Sequence, residues 1–185
     1  MKIGLYGGSF NPIHIAHLNV AKHAIESLNL DRLIFIPCFQ SVDKPLSEYA
    51  SADHRINMIN LVIPDKCEIS TYEIDKGEAI ESIETFRHFR DLYKDDELFF
   101  IMGEDSLVGI HTWQDFQEFD SLLNLVVFRR KLDTSSFVNR FNLKLTWMNN
   151  ELWNMSAKEI RNGGTRNFLD ARVEAYIKLH KLYNL

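Results

Sequence analysis

Four apolar runs constrain the fold of this chain more than any other feature of its sequence. They occupy residues 3–6, 33–37, 98–102 and 125–128. Each run is nearly continuous rather than alternating between apolar and polar residues, which is typical of strands buried on both faces. Segments with apolar residues at helical spacing separate the runs. The pattern predicts an α/β fold with a mainly parallel sheet and helices on both faces.

Weaker signals complete the expected order of elements. We predict short strands over residues 67–70 and 143–147, and helices over 18–28, 51–63, 80–93 and 113–119, from Ser156 onwards, and around 173–180. The sequence contains no internal repeat or linker, so residues 1–185 are expected to form a single domain. We expect residues 131–139 to be the most mobile segment.

Composition limits the classes of function. The formal net charge of −5 argues against non-specific binding of nucleic acid. No apolar run approaches the roughly 18 residues that a membrane helix needs, and no signal-peptide pattern precedes the first strand. The two cysteines, Cys38 and Cys67, match no metal-binding spacing, which favours a reduced, cytoplasmic protein.

The stretch Gly-Gly-Ser-Phe-Asn-Pro-Ile-His-Ile-Ala-His, residues 7–17, joins the first strand to the first helix. Two adjacent glycines allow the backbone to approach a ligand closely or to turn at positive φ. His14 and His17 are three residues apart, so at the start of a helix they face the same side. Backbone amides, a positive helix terminus and two imidazoles together predict an anion-binding site.

In parallel sheets of this kind, ligands bind beyond the carboxyl ends of the strands, where the strand order reverses. We therefore expect the segments that follow the strands to meet at one cleft. They are residues 7–17, 39–44, 103–105 and 129–130, and the start of the helix at Ser156.

Several polar residues in these segments have two interpretations. Lys44 could reach a phosphate or be an exposed loop lysine, and Asp105 could accept hydrogen bonds from ribose hydroxyls or cap a helix. Arg55 could support the site or form a surface ion pair. Trp113 could stack on a heteroaromatic ring or pack half-buried.

A second informative string begins at Ser156. Ser156 with Glu159 forms a capping-box pattern, which predicts a helix start with free amides. Lys158 and Arg161 place positive charge in the predicted first turn, where the helix dipole disfavours it. A phosphate bound there would relieve this conflict.

The stretch at residues 7–17 resembles the motif G-G-[ST]-F-[DN]-P-x-H-x-[GA]-H of the nucleotidylyltransferase superfamily. Lys44, the segments 103–107 and 112–113, Arg130 and the segment 156–161 fall in the order and spacing of bacterial nicotinate-nucleotide adenylyltransferases. The resemblance covers nearly the whole chain, including residues 82–85, which are similar to the family's T-[IF]-[DE]-T.

This resemblance implies a Rossmann-like, doubly wound fold and the reaction of ATP with nicotinate mononucleotide to give deamido-NAD and pyrophosphate. Mg²⁺ would be carried by the ATP phosphates, because no carboxylate cage for a metal is evident. The resemblance implies that the triphosphate is bound by His14, His17, Lys44 and Arg161. It implies further nucleotide contacts at Gly7, Gly8, Ser9, Phe10, Arg130, Ser156 and Lys158. The adenosine ribose would be bound by Gly103 and Asp105, and the pyridine nucleotide by Ser82 and Trp113. Imidazolium, lysine, guanidinium and helix amides would neutralise the developing negative charge.

Two segments depart from the family pattern. Asp43 stands where the family has histidine, and Ala157 and Lys158 replace two hydroxyl residues. These departures leave two alternatives open. One is a related transferase acting on nicotinamide mononucleotide or another phosphate such as phosphopantetheine, and the other is a nucleotide-binding protein that has lost catalysis. A homodimer through the apolar residues of the terminal helices is also left open.

Overall fold

In the computed structural model, the described residues are 1–40, 49–130, 142–153, 155–164 and 166–183. The strands are β1 (Lys2–Gly8), β2 (Arg32–Pro37), β3 (Cys67–Ile69), β4 (Glu97–Gly103), β5 (Asn124–Phe128) and β6 (Leu145–Trp147). They form one sheet in the order β3-β2-β1-β4-β5-β6, and every neighbouring pair is parallel. The fold is therefore Rossmann-like, which confirms the prediction of a parallel α/β sheet.

The helices lie between the strands and after them. They are α1 (Ile15–Leu28), α2 (Ala52–Val62), α3 (Tyr72–Asp75), α4 (Ser82–Leu92), α5 (Glu104–Val108), α6 (Phe119–Leu122), α7 (Ala157–Arg161) and α8 (Ala171–Leu179). The prediction of one helix over 113–119 is wrong. Two 3₁₀ turns, Ile110–Thr112 and Phe116–Glu118, precede α6, and Asp115 between them has a φ of 52°, which interrupts a regular helix.

Two apolar layers, one on each face of the sheet, form the core. Alternate residues of one strand enter different layers: Ile101 packs with α1, α2 and α8, whereas Phe100 packs with α4 and α6. This alternation follows from the two-residue period of a strand. It explains why the strand sequences are apolar throughout, as expected for a sheet covered on both faces.

The strand order reverses between β1 and β4, which are neighbours although they are far apart in sequence. The chain leaves β1 towards β2 on one side and returns to β4 on the other, so the loops after these strands diverge and leave a crevice. No helix within the described part of the chain is long and apolar enough to cross a membrane. The predicted mobile segment 131–139 lies outside the described residues.

Candidate active site

A cleft of about 360 Å³ opens at the carboxyl ends of β1 and β4, where the strand order reverses. Ten of the predicted site residues line it: Gly7, Gly8, Ser9, Phe10, His17, Ser82, Gly103, Asp105, Trp113 and Arg130. Four do not line it: His14, Ser156, Lys158 and Arg161. Lys44 and Asp43 lie outside the described residues.

The two glycines extend β1 instead of forming a turn at positive φ, so that part of the expectation is wrong. Positive φ occurs at Phe10, with a value of 44°. A Cβ atom at Gly8 would come within 3.1 Å of the Phe10 ring, and one at Gly7 within 3.3 Å of the Phe100 ring. The glycines therefore allow close packing of these rings at the floor of the cleft, and a Cβ atom at either position would require a ring to shift.

His14 and His17 form a stacked pair at the start of α1, as their spacing predicts. Their ring centroids are 3.6 Å apart with an interplanar angle of 19°. The backbone N–H of His14, the N-cap residue, donates to Nδ1 of His17 at 3.1 Å. Because this Nδ1 accepts a hydrogen bond, neutral His17 carries its proton on Nε2, which makes that nitrogen a donor for a ligand.

The surroundings of both imidazoles favour the neutral form over the imidazolium form. Burial, followed by the positive charge of Arg130, lowers the pKa of His14 to about 3. Burial, His14 and Arg130, in that order, lower the pKa of His17 well below its ordinary value. His17, which lines the cleft, therefore offers an N–H donor rather than a fixed cation. Among the described residues that line the cleft, Arg130 supplies the positive charge.

Arg130 is held between three neighbours after β5. Its Nε lies 3.4 Å from Oδ1 of Asp105, its Nη1 donates to the carbonyl of Met155 at 3.1 Å, and its backbone N–H donates to the buried Glu104 carboxylate at 2.7 Å. Asp105 and Arg130 thus face each other across the end of β4. A guanidinium at this position can bind an anion, and a carboxylate can accept hydrogen bonds from hydroxyl groups.

The segment after residue 155 lies beside the cleft rather than in its lining. Ser156 caps α7, with its Oγ accepting from the backbone N–H of Glu159 at 3.4 Å. Arg161 is the last residue of this five-residue helix, so the predicted charge conflict in a first turn does not apply to it. Its Nη1 instead donates to the carbonyl of Asn11 at 2.8 Å, which ties α7 to the histidine loop.

The α4 side of the cleft contains predicted and unpredicted residues. Ser82 is the first residue of α4. Trp113 packs edge-on against Phe119, with 6.1 Å between the ring centroids. Glu73 also lines the cleft and accepts a hydrogen bond from Oγ1 of Thr85 at 2.7 Å. Burial raises the pKa of Glu73.

Sequence analysis missed Glu73 because it lies on the four-residue helix α3, too short to give a periodic signal. The available clue is a charged residue three positions after the predicted strand over residues 67–70. Among the described residues, no group of three or more His, Cys, Asp or Glu side chains is arranged to hold a metal ion.

Residues 5–163 match the family model described as cytidylyltransferase-like. A protein of Opitutus terrae named "probable nicotinate-nucleotide adenylyltransferase" is 32% identical over 191 residues, covering 99% of this chain and 98% of the relative. A protein of the same name from Clostridium novyi is 34% identical over 171 residues, covering 87% of this chain and 86% of the relative.

Solved structures share the fold. Nicotinic acid mononucleotide adenylyltransferase of Plasmodium falciparum, complexed with NaAD, superposes with a TM-score of 0.83 at 22% identity, covering 99% of this chain and 97% of that one. The same enzyme complexed with APC gives a TM-score of 0.80 at 20% identity, with the same coverage. The chain therefore belongs to the cytidylyltransferase-like family and, within it, to the nicotinate-nucleotide adenylyltransferases.

Proposed function

We propose that this protein transfers the adenylyl group of ATP to nicotinate mononucleotide, in the biosynthesis of NAD. The phosphate oxygen of the mononucleotide attacks the α-phosphorus of ATP, and the bond from this phosphorus to the bridging oxygen of the β-phosphate breaks. Deamido-NAD forms and pyrophosphate leaves. The attacking phosphate is already ionised, so the reaction needs alignment and charge stabilisation rather than a protein nucleophile.

The observation that carries this proposal is the stacked pair of His14 and His17 beside a cleft at the reversal of strand order. The pair lies at the N-terminus of α1, a 14-residue helix whose dipole favours an anion there. A polyphosphate would accept a hydrogen bond from Nε2–H of His17 and form an ion pair with Arg130. The cleft volume of about 360 Å³ suits a small-molecule ligand.

The remaining roles are proposals supported by position. Gly7, Gly8, Ser9 and Phe10 would contact the nucleotide along the floor of the cleft, where all four line it. Gly103 and Asp105 would hold the adenosine ribose. Ser82 and Trp113 would contact the pyridine nucleotide.

Four further residues are proposed as triphosphate ligands although they do not line the described cleft. His14 would act through its stack on His17, and Arg161 from its contact with the histidine loop. Ser156 and Lys158 would approach from the start of α7. Lys44 is proposed for the same role on the resemblance alone.

Mg²⁺ is proposed as the ion that accompanies ATP. The described residues fit an ion held by substrate phosphates and water rather than by a cage of protein ligands. When bound, Mg²⁺ would supply positive charge to the phosphates during transfer.

One observation favours nicotinamide mononucleotide as a second acceptor. Glu73 and Glu81 line the cleft on the α4 side, together with Ser82. Negative charge near the pyridine ring disfavours the carboxylate of nicotinate and leaves the neutral amide unaffected. The two acceptors therefore need to be compared directly.

The variant His17→Ala tests whether the cleft is catalytic. We expect a large loss of turnover in a variant that is still folded at the assay temperature, because it lacks a donor that faces the cleft. Loss of the stack on His14 and of the hydrogen bond from its backbone N–H is expected to lower the unfolding midpoint as well. His23→Ala is the matched control, since His23 lies on the same helix but outside the lining of the main cleft. Full activity in His17→Ala would contradict the proposed role of His17 in binding the triphosphate. ATP binding without turnover in the unmodified protein would favour a nucleotide-binding protein that has lost catalysis.

We infer a cytoplasmic location, which is supported by the absence of a disulfide at Cys38 and Cys67 among the described residues. A homodimer stays a prediction. The apolar side chain that a terminal helix offers for it is Leu179 on α8, which is 76% exposed.

A further inference from the structure

Arg55 on α2 is 1% exposed and joins three segments of the chain through backbone carbonyls. Its Nη1 donates to the carbonyls of Ser9 at 2.9 Å and Cys38 at 2.7 Å, and its Nη2 donates to the carbonyl of Phe39 at 3.1 Å. Its Nε donates to the carbonyl of Ala50 at 3.1 Å. One buried guanidinium therefore holds the loop after β1, the loop after β2 and the residue that precedes the α2 cap.

These carbonyls need a partner because they follow the ends of strands. β1 ends at Gly8 and β2 at Pro37, so the next carbonyls have left the sheet and lost its hydrogen bonds. A buried carbonyl without a partner is destabilising. Within the described part of the chain, Arg55 forms no ion pair with a carboxylate, so these four carbonyls and the ring of Tyr49 surround its charge there.

The same segments form one wall of the cleft. Ser9 and Cys38, whose carbonyls Arg55 binds, both line it, and so does Tyr49, whose ring lies 5.3 Å from the Arg55 guanidinium carbon. Arg55 itself does not line the cleft. Its effect on a ligand is therefore indirect, through the position of the loops.

We propose that Arg55 is a positioning residue that sets the separation of Ser9, which follows β1, from Cys38 and Phe39, which follow β2. It thereby sets the geometry of the part of the cleft where Ser9 is proposed to contact the nucleotide. This inference rests on the proposed function only for the identity of the nucleotide, ATP. Lysine cannot replace arginine here, because one ammonium group cannot reach carbonyls on several sides as the planar guanidinium fork does.

The test uses Arg55→Lys and Arg55→Ala in the full chain, at a temperature where unfolding curves show both variants to be folded. We expect KM for ATP to rise, kcat to fall and kcat/KM to decrease roughly 10- to 100-fold in both variants, as small misplacements of a substrate produce. Equilibrium binding of a non-hydrolysable ATP analogue would weaken in parallel. A residue that only stabilised the fold would leave KM, kcat and analogue binding unchanged at that temperature.

Arg32→Lys is the matched control, because Arg32 forms a partly exposed ion pair with Glu68 at 3.1 Å, away from the cleft. Binding and kinetics equal to the unmodified protein in folded Arg55→Lys would overturn the inference. Failure of both Arg55 variants to fold would also overturn it, since Arg55 would then be a residue of stability alone. If the unmodified protein bound the analogue but transferred no adenylyl group, the proposed function would fail, while the comparison of binding would still decide the role of Arg55.

Discussion

The neutral state of His14 predicts how the stability of the protein depends on pH. In the folded protein the pKa of His14 is about 3, whereas in the unfolded chain a histidine has its ordinary value of about 6.5. Between these values the unfolded chain binds a proton that the folded protein does not. The free energy of unfolding must therefore decrease as the pH falls below about 6.5.

The magnitude follows from the two pKa values. At pH 5 the unfolded histidine is almost fully protonated and the folded one is not, which lowers the free energy of unfolding by about 2 kcal/mol relative to pH 7. His14→Phe keeps a planar ring against His17 and cannot titrate. We expect this variant to lose about 2 kcal/mol less than the unmodified protein between pH 7 and pH 5.

Urea unfolding at both pH values measures this difference directly. The titration of carboxylates common to both proteins cancels when the two pH-dependent changes are subtracted, provided that the m-values agree. Equal changes in the two proteins would refute the conclusion that His14 is held neutral by burial and by Arg130.

Two other substitutions test the contacts around the cleft. Gly103→Ala would place a Cβ atom against the Asp105 carboxylate and 3.4 Å from Nε of Arg130. We therefore expect a raised KM for ATP in steady-state assays and little change in the unfolding midpoint. An unchanged KM for ATP would contradict this prediction. Tyr183→Phe removes the hydroxyl that donates to Oδ1 of Asn11 at 2.6 Å, and we expect a loss of about 1 kcal/mol in urea unfolding. A stability equal to that of the unmodified protein would show that this contact adds nothing.

The strands could be predicted because the covered sheet requires apolar residues at consecutive positions. Residues 98–102 illustrate this, since Phe99 and Phe100 enter opposite layers and are both 7% exposed. The segment 113–119 could not be predicted, because its apolar residues have helical spacing while Asp115 adopts a left-handed conformation. The spacing of apolar residues does not indicate the backbone conformation that Asp115 adopts in the folded protein.

The candidate site was predictable where chemistry is concentrated in a short motif. The spacing of His14 and His17 predicts that they face the same side of the helix start, but neither their stacking nor the burial that favours their neutral form. The sequence leaves two interpretations of Arg55, a support of the site or a surface ion-pair residue. The carbonyl partners at Ser9 and Phe39 could not be identified because they lie in segments distant from Arg55 in sequence. Glu73 could not be identified from periodicity because its helix has four residues, and its hydrogen-bond partner Thr85 lies on another helix.

The most direct test of the account is release of pyrophosphate by the purified protein with ATP and Mg²⁺. Three reactions are compared: nicotinate mononucleotide, nicotinamide mononucleotide and no acceptor. We predict that pyrophosphate is released only when a mononucleotide is present, with nicotinate mononucleotide as a substrate and deamido-NAD as the product. No acceptor-dependent release with either compound, although ATP binds, would contradict it.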